Sequence, residues 1–152
     1  MSLNPETPPV QGAAPHPAGA PPAGLLEAAV TRPGESVSRV ALTPESQDLL
    51  LRLRQMHGPL MFHQSGGCCD GSSPMCYPAG DFITSEADVL LGTFELTPGE
   101  LLEFWMSAEQ FEYWKHTHLT VDVVTGRGSG FSVEAPEGKR FLIRSRLMDT
   151  GP

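Results

Sequence analysis

Three cysteines, Cys68, Cys69 and Cys76, fall within nine residues of a 152-residue chain. They sit in the run Ser65-Gly66-Gly67-Cys68-Cys69-Asp70-Gly71, followed by Pro74. Gly66 and Gly67 remove side-chain bulk and open positive φ angles. Backbone N–H groups in such a loop can turn toward a thiolate or a bound anion and stabilise its charge. On an extended chain the adjacent Cys68 and Cys69 would point to opposite sides. A bend at the glycines is therefore what would bring both sulfur atoms to one centre, with Cys76 returning after Pro74.

Three thiolates and one further ligand complete a tetrahedral zinc site. The candidates for the fourth position are His63, Asp70, His116 and His118. Soft sulfur ligands equally suit another thiophilic metal ion or an iron–sulfur cluster. The Cys-Cys-x6-Cys spacing is not that of a paired CxxC zinc motif. Two other readings stand beside the metal site. One is a thiol-redox or nucleophilic centre using the same three cysteines. The other is a glycine turn whose thiols are buried and structural, within a protein-interaction module.

Around this loop the chain must supply elements that hold it. Thr43-Pro44-Glu45 is a helix start: Thr43 can cap, Pro44 suits the first helical position and Glu45 complements the positive end. Leu49, Leu50, Leu53 and Met56 then recur at helical spacing, and His57-Gly58-Pro59 ends the helix. Leu60–Gln64 is a strand that runs into the cysteine loop, with Leu60, Phe62 and Gln64 on one face and Met61 and His63 on the other. Further strands are expected at 40–42, 89–96 (kinked or bulged at Gly92), 102–106, 119–123, 131–133 and 141–147. Ser107-Ala108-Glu109-Gln110 fits a capping box opening a short helix.

About six short strands and two short helices define an α+β, mostly-β domain. Residues 37–148 make up this single domain, and residues 1–36, rich in Pro and Ala, read as a disordered tail. The acidic residues Asp70, Asp81, Glu86 and Asp88 read as a solvated face, and Phe104, Trp105, Phe111, Tyr113 and Trp114 as core aromatics, with a partner surface as the second reading. Gly126-Arg127-Gly128-Ser129-Gly130 lacks the Lys-Ser/Thr of a phosphate loop and reads as a connecting turn.

The formal net charge of −8 argues against nucleic acid, whose phosphates need clustered Lys and Arg, and against an anionic membrane surface. No apolar run is long enough to span a bilayer and no secretory leader is visible. The expectation is a cytoplasmic protein, in a compartment where clustered cysteines serve metal or redox chemistry.

Leu42-Thr43-Pro44-Glu45, a strand, Gly66-Gly67-Cys68, then Gly71 and Tyr77 resemble the HesB-like, A-type iron–sulfur carriers. Gly128-Ser129-Gly130-Phe131 leading to Ala135-Pro136 is similar to their second half. The resemblance covers roughly residues 39–136 and implies a compact pseudo-barrel. The carriers complete their site with a C-terminal Cys-x-Cys, and no cysteine follows Cys76, so carriage by that ligand set is excluded. A longer likeness runs through His57-Gly58-Pro59-Leu60 and Ser65-Gly66-Gly67-Cys68-Cys69-Asp70-Gly71-Ser72-Ser73-Pro74-Met75-Cys76. It resembles a bacterial family of unknown function often encoded beside NAD-dependent aldehyde dehydrogenases. That gene association implies an accessory role in aldehyde or alcohol oxidation, with an aldehyde dehydrogenase as partner. The leading expectation is a non-enzymatic protein, and a homodimer is one arrangement that would pool ligands.

Overall fold

The computed structural model describes residues 24–66, 71–126 and 132–148. Helix α1 spans Pro44–His57, and Thr43 caps it by accepting the Ser46 N–H at 3.1 Å. Its end is set by Gly58, whose φ of 79° a side chain would strain and whose N–H donates to Arg54 O. Leu49, Leu50 and Leu53 are the buried stripe.

Eight strands flank this helix: β1 (Leu26–Glu27), β2 (Val40–Leu42), β3 (Leu60–Gln64), β4 (Met75–Pro78), β5 (Asp88–Thr97), β6 (Glu100–Ser107), β7 (Thr117–Thr125) and β8 (Lys139–Leu147). The short helix α2, Ala108–Trp114, follows β6 and is capped by Ser107, which accepts the Gln110 N–H. The strands form two four-stranded sheets, ordered β1-β2-β7-β8 and β4-β3-β6-β5. Both are mixed, because β2 runs parallel to β7 and β3 parallel to β6 while the other pairs are antiparallel.

The expected class, α+β and mostly strand, is the class found. The closed pseudo-barrel is corrected to two separate sheets, and about six strands to eight. The extra strands are short partners that no periodic pattern announces. β1 exists because Leu26 and Glu27 pair with Leu42 and Ala41, and β4 because Met75–Pro78 pairs with Leu60–His63. The expected strand at 131–133 is absent as such: Ser132 and Val133 lead into a 3-10 turn at Ala135–Glu137, and Phe131 lies outside the described residues.

Residues 24–36, read from sequence as part of the tail, pack on the domain. Ala28 is buried, Ala29 bridges to Thr93, and the Arg32 guanidinium lies 4.3 Å from the Phe111 ring centroid. Gly92 marks a break in the β5–β6 register, and Ala28 explains the glycine. A Cβ on Gly92 would sit 2.6 Å from the Ala28 Cβ.

Both sheets and α1 feed one apolar core. Phe62 of β3 meets Phe104 of β6 in its own sheet and Phe141 of β8 in the other, the latter edge-on at 5.0 Å between centroids. This contact joins the two sheets. Among the described residues no helix is long and apolar enough to cross a membrane.

Candidate functional site

The cysteine loop leaves β3 at Gln64 and returns at Gly71. Gln64 holds its outgoing end, donating from Nε2 to Gly66 O. The returning end is fastened to β8: the Gly71 N–H donates to Ile143 O and the Ile143 N–H to Ser72 O, each at 2.8 Å. Arg140 adds a clamp, donating from Nη1 to Gly71 O at 3.1 Å and to the Ser73 hydroxyl at 2.7 Å. A cation thus stands at the foot of the loop. Cys68, Cys69 and Asp70 themselves lie outside the described residues.

Cys76 is placed by the β3–β4 pairing. It lies opposite Phe62, on the inner face of its sheet, and has no solvent exposure. Burial pushes its thiol well above the ordinary range, and the Glu134 carboxylate pushes it further. A thiol in this setting stays protonated at neutral pH and is a poor nucleophile.

Glu134 comes from the segment that crosses β4. The Ser132 hydroxyl accepts the Cys76 N–H at 2.8 Å and donates to Glu134 Oε1, while the Val133 N–H donates to Cys76 O at 3.0 Å. Glu134 is fully buried. Burial raises its pKa, and the Ser132 hydroxyl and the backbone N–H groups of Glu134 and Phe141 only partly offset this. Among the described residues, Glu134 Oε2 and the equally buried Gln64 Oε1 have no hydrogen-bond partner. Buried oxygens without donors are costly, so each marks a place where a proton, a donor or a cation is wanted.

The histidines are elsewhere. His63 follows Phe62 on β3 and so faces the opposite side of the sheet from Cys76. Its Nε2 meets Asp88 Oδ1 at 2.7 Å, and its ring stacks on Phe82 at 4.1 Å. Burial pushes the Asp88 carboxyl up, but bonds from His63 and the Ser85 N–H outweigh it and hold the pKa below the usual range. His118 lies in the other sheet, with Nε2 2.9 Å from Glu27 Oε1. His116 is exposed. Among the described residues no three His, Cys, Asp or Glu side chains are gathered in a way that could hold a metal ion.

Sequence reasoning missed Glu134, Ser132 and the inward role of Gln64. For Gln64 a signal existed, since it shares its strand face with Leu60 and Phe62. Glu134 gave none, because one acidic residue before Ala-Pro reads as a solvated turn.

Fold and site together define a class: an α+β domain of two mixed sheets whose shared core carries a buried thiol and carboxyl group. The chain belongs to a family of domains of unknown function, DUF779, whose model matches residues 49–147. No curated protein and no solved structure matches it.

Proposed function

We propose that the protein is a metal- or iron–sulfur-binding accessory protein whose ligands are Cys68, Cys69 and Cys76. The observation that carries this reading is the buried Glu134 carboxyl group beside the Cys76 thiol. With Gln64 it leaves two oxygens without partners among the described residues, and no described cation pairs with it. A thiophilic ion answers both needs: it displaces the proton that burial keeps on Cys76, and its charge offsets that of Glu134. Arg140, at Gly71, offers a fixed positive charge that favours thiolates in the loop. Zinc is the first choice for such a sulfur-rich set with a carboxylate at hand; an iron–sulfur cluster is the second. Asp70 and His116 follow as further ligands; His63 faces the opposite side of its sheet from Cys76 and His118 stands in the other sheet, each already bound to a carboxylate.

The thiol-redox reading is weaker for Cys76, whose burial and raised pKa both work against attack. The finer fold assignment, to the HesB-like carriers, we retain as part of the proposal, and it rests on the sequence resemblance. The proposed partner is an NAD-dependent aldehyde dehydrogenase, and the proposed setting the cytoplasm. Both rest on resemblance and composition.

Metal analysis of protein purified without oxygen tests the assignment. About one zinc, or an equivalent of iron with sulfide, is expected per chain, and it should be lost from C68S/C69S/C76S. The double variant C68S/C69S tests the loop without altering the core at Cys76. Retention of the same metal in both variants, or its absence from the unaltered chain, would overturn the reading.

A further inference from the structure

A second site lies on the opposite face of the β4-β3-β6-β5 sheet from Cys76. A cavity of about 290 Å³ opens there, lined among others by Met61, Phe82, Leu101, Glu103 and Trp105. That volume is at the small end of ligand pockets. Its walls mix aromatic and aliphatic side chains with polar surface at Thr84 and Glu103, and no Lys, Arg or His lines it. Glu103 Oε1 accepts the Trp105 Nε1–H at 2.9 Å. Among the described residues no basic side chain is paired with this carboxylate.

The aromatic wall is held in place from behind. Phe82 stacks on His63 at 4.1 Å and on Tyr77 at 5.2 Å between centroids, with both ring pairs tilted by about 30°. His63 is itself fixed by Asp88. The Trp105 indole is tethered to Glu103 by its N–H. A preorganised wall of this kind binds without first having to be ordered.

We infer that this cleft binds a small organic cation, an alkylated ammonium. Aromatic rings attract a cation through their quadrupole, and a nearby carboxylate adds direct attraction. An anion meets only repulsion from Glu103. A bare divalent metal ion needs several oxygen ligands, and Glu103 is the one carboxylate that lines the cleft among the described residues. A methylated ammonium matches both features, with its charge toward Glu103 and its methyl groups against Met61, Phe82 and Trp105. The net charge of −8 steers cations toward the molecule as a whole. The site is independent of the cysteine loop, so its fate does not depend on the metal assignment.

Choline and tetramethylammonium are the probes, with 3,3-dimethyl-1-butanol as the uncharged isostere of choline. Binding to the full chain is followed by saturation transfer to the ligand methyl protons, and by indole emission, with buried Trp114 as the internal reference. Choline should bind about tenfold or more tightly than the alcohol, equivalent to one desolvated cation–aromatic contact. W105A should abolish the difference, and E103Q should weaken choline binding about three- to tenfold. E103Q alters an exposed position and keeps the test valid if W105A does not fold. Equal binding of choline and the alcohol, no binding of either cation, or wild-type affinity in E103Q would overturn the inference.

Discussion

Replacing Glu134 by Gln should stabilise the protein, and do so only where the carboxyl group would be charged. Glu134 is fully buried, and its Oε2 has no partner among the described residues. Its folded pKa is raised, with burial the leading cause. At acidic pH the folded and unfolded chains both hold the proton. As pH rises through the ordinary carboxyl value, the unfolded chain releases it and the folded chain does not. The folded state then binds more protons, so the unfolding free energy falls with pH until the raised folded value is passed. Above that point the wild type holds a charge in the core. A glutamine side chain in its place keeps an oxygen to accept from Ser132 and removes the charge. A buried polar group left incompletely bonded costs about 1–3 kcal/mol, and more when charged, so E134Q should recover at least about 1–3 kcal/mol at pH 8. Urea unfolding of both proteins at pH 8 and pH 4, in chelating buffer so that no ion offsets the carboxylate, measures the difference. The gain should shrink toward zero at pH 4. An E134Q effect of the same size at both pH values would show that its origin is packing and would refute the electrostatic argument.

Asp88→Asn should act in the opposite sense. The folded pKa of Asp88 is lowered by His63 and Ser85, so its stabilisation is present above the ordinary Asp value and is lost as pH falls through the lowered one. D88N should cost about 1 kcal/mol at pH 7 and less at pH 3, and a constant cost in urea titrations at the two pH values would contradict the assignment. Gly92→Ala should destabilise by about 1–3 kcal/mol, because its Cβ would approach Ala28 Cβ to 2.6 Å and Val40 Cγ1 to 3.1 Å; a melting temperature unchanged from wild type would show that the segment after β1 yields freely. Cys76 should resist alkylation at pH 8 in the folded protein and react only on unfolding, given its burial and raised pKa. Peptide mapping after timed exposure to iodoacetamide checks this, and labelling at the rate of a free thiol would remove Cys76 from the core.

Much of the scaffold was legible in the sequence because it is written in local physics. Thr43-Pro44 and Gly58 bound α1, since a cap, a fixed φ and a positive φ are properties of single residues and their neighbours. Ser107 opens α2 for the same reason. β3, β5, β6, β7 and β8 carry apolar runs or alternation that a buried face imposes. The cysteine loop was legible as a motif, since three cysteines among glycines depart from ordinary composition.

What only the tertiary structure decided is what each polar group meets. Residues 24–36 contain a strand and a bridge because β2 and β5 offer them partners, and no pattern within the segment encodes that. Asp88 reads as one of several solvated acids, yet it holds His63. Glu134 reads as a turn residue, yet it is buried beside Cys76. A side chain's period along the chain records which face it takes, but the donor, acceptor or charge opposite it is set by residues tens of positions away. The pKa of a carboxyl group or thiol, and with it the chemistry open to it, is therefore fixed only when the sheets close on a common core.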